Sequence, residues 1–361
     1  MKFLDRDEHP VLFAVTTSVT SGVIVTAVLG AVEAATRTSW LNWRFPLWSL
    51  IAAIVVMTCL VVVLVAARRG GRVRMVFLVV HAFSQKHWVS ELIHDVHRAF
   101  DRHRTDMVLK IPDKDYSATG QAHHLRGILA RRDQYVAGLV VPVEFERNRH
   151  DLIQFCQKFR RPVVMMDVEP FNDERDYPPN TAFVGYDAAA IGECAAEWVV
   201  GQLATKRECE QIVLVVGGRG QRRRQQRFVE VMREKLPAAR VIVNDGGEFA
   251  RTRARNVVCN CLRELRGEGR TPTVIFCTND EMALGAVDAL LLDGTAAATT
   301  VIGVDGTPGA TALIDTRQTP LRATVVQDSY LVSETAVDLL ERMLKGEHVP
   351  TRTLLRGELY T

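Results

Sequence analysis

Residues 273–328 read TVIFCTNDEMALGAVDALLLDGTAAATTVIGVDGTPGATALIDTRQTPLRATVVQD, and three apolar runs within them each stop at a polar side chain. Val274 to Thr278 ends at Asn279, Val301 to Val304 at Asp305, and Ala323 to Val326 at Gln327. Amphipathic stretches, Glu281 to Leu292 and Ala310 to Asp315, separate the runs. Strand alternating with helix gives a parallel sheet, and open α/β sheets bind ligands just beyond the carboxyl ends of their strands. Two amides and a carboxylate therefore converge on one place, which suits a ligand rich in hydroxyls. Taken singly, Asn279 and Asp305 also fit helix N-caps. Three strand ends in succession point instead to a site.

The alternation reaches back to Arg74. Earlier strand-like runs are Met75 to Val80, Met107 to Ile111, Ala137 to Val141, Pro162 to Met166, Ala182 to Val184, Gln211 to Val216 and Arg240 to Val243. Helix-like stretches such as Trp88 to His103, Ile191 to Leu203 and Gln225 to Leu236 fill the gaps. Ten strands with crossover helices are too many for one small sheet, so the expected class is α/β, with two lobes of doubly wound parallel sheet. No low-complexity linker interrupts them, so short hinges join the lobes.

The strand-end rule then selects further residues. His81, Gln85, His87 and Trp88 follow the first run, Asp167 follows Met166, and Tyr186 and Asp187 follow Val184. Phe249 comes after the run that ends at Val243. Aromatic faces with amides, carboxylates and an arginine can grip a sugar, stacking on its C–H surfaces and bonding its hydroxyls. The turn Gly217-Gly218-Arg219-Gly220 lacks the Lys-Ser/Thr pair of a phosphate loop and reads as a tight turn. Arg222 to Arg224 with Arg227 reads mainly as a solvated helix face, with one member pointing inward.

The amino-terminal part differs in kind. Val11 to Val32 carries no charge, and Leu47 to Ala67 is an uncharged run of 21 residues. Each is long enough to cross a bilayer core of about 30 Å as a helix. The expectation is a two-span hairpin over residues 1–71, with spans at about 11–34 and 47–67. Trp40, Trp43 and Trp48 lie in or beside the short link, where indoles favour the lipid boundary. Arg68, Arg69, Arg72 and Arg74 after the second span outnumber Arg37 and Arg44 in the link, which would place the following domain in the cytoplasm. Cys156, Cys194, Cys209, Cys259, Cys261 and Cys277 show no zinc spacing and read as free thiols, suited to a reducing compartment. Six of the 45 basic and four of the 42 acidic residues lie before residue 72, so the remainder is almost neutral and a poor candidate for nucleic acid.

With these residues identified, the chain from about residue 73 to 361 resembles the ribose- and galactose-type periplasmic sugar-binding proteins, whose ligand domain also occurs in lactose-repressor-like regulators. Thr278-Asn-Asp-Glu-Met-Ala-Leu-Gly-Ala286 and Ile302-Gly-Val-Asp-Gly-Thr-Pro308 carry the resemblance. It implies two lobes that close on a sugar, with three hinge crossings. It further implies that Asn279, Asp305 and Gln327 are hydroxyl partners, that Arg224 reaches inward, and that Phe249 stacks on the ring. By the same pattern Gln85 stands at the family's asparagine, Trp88 at one of its two aromatics, and Asp167 at the acid of its Asp-Arg pair. Val168 stands where that pair has its arginine, and His87 where the second aromatic would be. The ligand class therefore extends from a simple sugar to a ribosyl group in a nucleotide-type molecule, whose phosphate His81, His87 and Lys86 could meet.

The division expected is 1–71 as the hairpin, 72–186 plus 328–354 as the first lobe, and 187–327 plus 355–361 as the second. No nucleophile arrangement, metal set or cofactor fingerprint is present, so a binding protein rather than an enzyme is expected. The leading functional expectation is a multi-pass inner-membrane sensor with a cytoplasmic ligand domain. In it, lobe closure on a sugar-like molecule acts on the hairpin in the bilayer, and the hairpin packs against copies of itself. The alternative is a surface-anchored sugar-binding component of an import system, with glycoside chemistry a distant third.

Overall fold

Ile212-Val-Leu-Val-Val216 is buried along its whole length, as are Ala137–Val140 and Val163–Met166. Continuous apolar runs of this kind belong to parallel strands covered on both faces. The computed structural model describes residues 53, 56–61, 74–83, 87–143, 145–171, 173–204, 211–218 and 222–361. It divides into two units, Met1–Arg72 and Val73–Thr361. In the first unit residue 53 and residues 56–61 are helical. The remainder of both expected spans lies outside the described residues, as does Gln85. No helix among the described residues is long and apolar enough to cross a membrane.

The second unit holds two six-stranded sheets. The first has the order β11-β5-β4-β3-β1-β2, all parallel, from β1 (Arg74–Val79), β2 (Thr105–Lys110), β3 (Ala137–Val140), β4 (Val163–Met166), β5 (Thr181–Tyr186) and β11 (Arg352–Leu355). The second has the order β12-β10-β9-β8-β6-β7, from β6 (Ile212–Val216), β7 (Arg240–Asn244), β8 (Val274–Cys277), β9 (Thr300–Asp305), β10 (Leu321–Val326) and β12 (Glu358–Tyr360), with only β12 antiparallel. The two-lobed doubly wound class is what the alternation predicted. Among its described residues nine helices connect the strands: α1 (His87–Arg102), α2 (Ala118–Ala130), α3 (Phe145–Phe159), α4 (Ala188–Leu203), α5 (Arg222–Lys235), α6 (Arg251–Gly267), α7 (Asp280–Asp293), α8 (Pro308–Thr316) and α9 (Ser329–Leu344).

Strand order reverses beside β1 in one sheet and beside β6 in the other, and ligands collect at such switch points. The chain passes to the second sheet after Tyr186, returns after Val326, and passes again after Leu355. The crossings are tied to each other. The Asp187 N–H donates to Leu355 O at 3.0 Å, and the Asp328 N–H donates to the Tyr186 hydroxyl oxygen at 2.8 Å. Asp187 and Asp328 also cap α4 and α9 through their carboxylates. The first two crossings therefore each end in a fixed helix start rather than a loose tether.

Candidate functional site

The first lobe supplies one wall of a cleft. His81 follows β1 and is buried; α1 then opens with His87 and Trp88. The Trp88 indole N–H donates to the backbone oxygen of Gln327 at 3.0 Å, so this ring is pinned beside the second crossing. Asp167 follows β4 at φ 65°, a left-handed conformation that Asp tolerates better than most residues. Tyr116, also left-handed at φ 57°, donates its backbone N–H to His81 O at 2.7 Å. Its ring stands edge-on to His81 at 5.0 Å and meets Phe249 of the opposite lobe at 5.5 Å.

The second lobe supplies the other wall. Glu248 and Phe249 are consecutive left-handed residues that fold the chain back after β7. A Cβ on Gly218 would lie 2.6 Å from the Phe249 ring, so the glycine turn after β6 makes room for an aromatic rather than a phosphate. Gly192 does similar work at the α4–α5 contact, where a Cβ would stand 2.0 Å from Arg224 O. That close approach fixes Arg224, the inward-pointing member of the arginine run. Its Nη1 donates to Thr278 O and its Nη2 to Gln327 Oε1 at 2.7 Å, while its Nε has no hydrogen-bond partner among the described residues. Asn279 Oδ1 accepts the Met282 N–H at 3.0 Å and caps α7, which leaves the amide nitrogen as its group for a ligand. Both meanings of Asn279, cap and site residue, hold at once. Asp305 ends β9 at φ 121°, and the cap of α8 is Thr307 instead.

Burial dominates the electrostatics. Loss of water pushes Asp167 up to about 7, although the nearby Arg224 charge opposes the shift. Asp305 is raised well above the ordinary carboxylate range, first by burial and next by the Asp280 charge, with Arg224 opposing. Burial also raises Asp280, to about 6, against the hydrogen bonds it accepts from Thr324 and Thr307. Arg224 is lowered by burial, and Asp305, Asp167 and Asp280 offset part of that. Three acids thus share one buried guanidinium.

The cleft is narrow, with a cavity volume of about 50 Å³. His81, His87, Trp88, Asp167, Arg224, Phe249, Asn279, Asp305 and Gln327 all line it, so nine of the ten sequence candidates meet there and Gln85 is the one outside the described residues. Tyr116, Glu281 and Thr307 line it too and escaped the sequence reading. Tyr116 sits six residues beyond the end of β2, too far from the strand for a strand-end reading to reach it.

Beside the cleft a carboxylate joins the lobes. Glu169 accepts from Arg352 of β11 at 3.0 Å and from Arg223 of α5 at 2.7 Å. Glu169 and Arg352 belong to the first lobe and Arg223 to the second, so the Arg223 bond exists only while the lobes are together. Arg223 is 46% exposed, which limits the pair to about 0.5–1 kcal/mol. Arg223→Ala is expected to speed ligand release about 2–5-fold in stopped-flow measurements and to leave the association rate near its original value. Equal release rates for the two proteins would deny Glu169 a part in closure.

Against known families, the model of the periplasmic binding protein domain matches residues 76–348. The chain belongs to this family. Among curated members of known function, the ribose import binding protein of Haemophilus influenzae is 26% identical over 169 residues, covering 47% of this chain and 54% of that protein. The Bacillus subtilis ribose import binding protein is 30% identical over 166 residues, covering 46% and 51%. The matches span about half the length of these relatives. Solved periplasmic binding proteins share the fold: one from Actinobacillus succinogenes 130z with bound D-allose has a TM-score of 0.69 at 17% identity, covering 80% of this chain and 97% of its own. The Caulobacter myo-inositol binding protein has a TM-score of 0.70 at 21% identity, covering 80% and 93%.

Membership corrects the expected location. An inner-membrane protein with a cytoplasmic ligand domain is overturned, because this is a family of periplasmic binding proteins and its curated relatives serve import. The four-against-two arginine count misled because long domains cross membranes largely regardless of their charge. The cysteines misled as well. Burial pushes the Cys156 thiol up to about 12 and raises the Cys277 thiol as well, so these two can stay free without marking a reducing compartment. Signalling through a hairpin, contact with a bilayer and self-association through the spans concern residues 1–71, of which only residue 53 and residues 56–61 are described.

Proposed function

We propose that this chain captures one small polyhydroxylated molecule, of monosaccharide or cyclitol size, between its lobes and serves as the binding component of an import system. The observation that carries this reading is the meeting of Asp167, Arg224, Asn279, Asp305 and Gln327 with the Trp88 and Phe249 rings, all at strand ends of two facing sheets. Hydrogen-bonding groups beside aromatic faces are what a sugar ring requires. Tyr116 already occupies the space in front of Phe249, which favours a single ring over a nucleotide. The names of the relatives, which concern ribose import, agree with this reading.

Calorimetry of the full chain against pentoses, hexoses, cyclitols and nucleotide sugars tests the proposal. One compound of single-ring size should bind at one site per chain with micromolar or tighter affinity. Selective binding of a nucleotide sugar, or of no polyol at all, would replace this reading.

A further inference from the structure

We propose that the occupant of the cleft carries a protonated amine: an amino sugar or amino cyclitol, rather than a neutral or a phosphorylated sugar. This rests on the cleft being a polyol site, as argued above, and names the ligand class within it.

The charges that face the cleft are unequal. Among the described residues that line it, Asp167, Glu281 and Asp305 are acids and Arg224 is the one fixed cation, with His81 and His87 as the remaining basic side chains and Tyr116 as the phenol. Among the described residues no ion pair reaches Asp167, Glu281 or Asp305. The Arg224 guanidinium spends both Nη groups on neutral acceptors, Thr278 O and Gln327 Oε1. Behind Asp305 lies a further buried acid, Asp280, which is satisfied by Thr307 and Thr324 and brings no counter-charge. Val168, an aliphatic residue, follows Asp167, so its immediate neighbour brings no counter-charge.

Desolvated carboxylates stay ionised only when a positive charge or several donors face them. A sugar hydroxyl offers one donor and no charge, whereas an ammonium offers three N–H donors and a full positive charge. Burial raises both Asp167 and Asp305 toward their protonated forms, and an ammonium beside them would oppose that shift. A phosphate would add to the excess of negative charge.

Matched pairs test the inference on the full chain by calorimetry at pH 7.5: D-glucose with D-glucosamine, D-galactose with D-galactosamine, and scyllo-inositol with scyllo-inosamine, alongside D-ribose and D-ribose 5-phosphate. The tightest ligand should be an amine that binds about 30-fold better than its hydroxyl twin, the worth of a hydrogen-bonded charge. Asp167→Asn, which tolerates the same left-handed backbone, should reduce that ratio to about 3-fold or less. Lowering the pH to 5.5 should weaken the amine more than its twin, because protons then occupy the carboxylates. If a neutral sugar binds as well as its amine or better, the polyol site stands and the amine is overturned. Tightest binding of ribose 5-phosphate also overturns it, and binding of nothing in the set overturns both readings.

Discussion

Asp305→Ala raises the dissociation constant for the captured ligand about 100-fold, ~3 kcal/mol, because it removes a charged acceptor from a cleft with little water to replace it. The same substitution should leave the ligand-free protein as stable as before or more so. Asp305 is held well above its ordinary pKa by burial and by Asp280, and a carboxylate whose folded pKa is raised gives stability that is full below the unfolded value near 4 and lost as pH rises through the folded value. At pH 8 the native side chain is therefore a burden, and its removal relieves Asp280 as well. Calorimetry and thermal unfolding on the same preparation separate the two effects. Weak binding with an unchanged or raised melting temperature identifies a ligand-binding carboxylate. Native affinity in Asp305→Ala would show that this strand end does not touch the ligand, and a collapse in stability would show that Asp305 serves the fold.

What the sequence made legible follows from which signals are local. Ten strands are legible because each is an apolar run bounded by polar residues, and the structure has strands at all ten places. β11 and β12 are not, since Arg352–Leu355 and Glu358–Tyr360 are short, partly exposed edge strands whose pairing is decided by the distant Phe183–Tyr186 and Thr324–Val326. The site shows the same division. Asn279, Asp305 and Gln327 stand directly at strand ends and need only a periodicity. Arg224 could be singled out from Arg222 and Arg223 only through the family pattern, because its inward direction depends on the α4–α5 contact at Gly192. Tyr116 lies among Asp113, Lys114 and Asp115, where composition suggests a solvated loop, and only its left-handed backbone and the His81 carbonyl turn it inward. Asp280 carries no local signal of its task, because its partners Thr307 and Thr324 lie 27 and 44 residues away in the chain.

Asp280→Ala is expected to lower stability by ~3–4 kcal/mol and the melting temperature by roughly 10 °C, the largest loss for a single polar side chain in this lobe. Asp280 is fully buried. Its Oδ2 accepts the Thr307 N–H at 2.7 Å and the Thr307 hydroxyl at 3.0 Å, and its Oδ1 accepts the Thr324 hydroxyl at 2.7 Å. One carboxylate thus joins the start of α7, the start of α8 and the middle of β10, and alanine would leave three buried donors without acceptors. The pH dependence has a definite sign. Asp280 is raised to about 6 in the folded protein, so its contribution is full below the unfolded value near 4 and is lost as pH rises through about 6. The gap between the native protein and Asp280→Ala should therefore be wider at pH 5 than at pH 8. Asp280→Asn, which keeps an acceptor oxygen but turns donors toward Thr307 or Thr324, should fall between the two. Thermal unfolding of the three proteins at both pH values decides the matter. A melting temperature for Asp280→Ala within about 2 °C of the native one, at either pH, would mean that Thr307 and Thr324 find other acceptors and that the junction under Asp305 does not depend on this side chain.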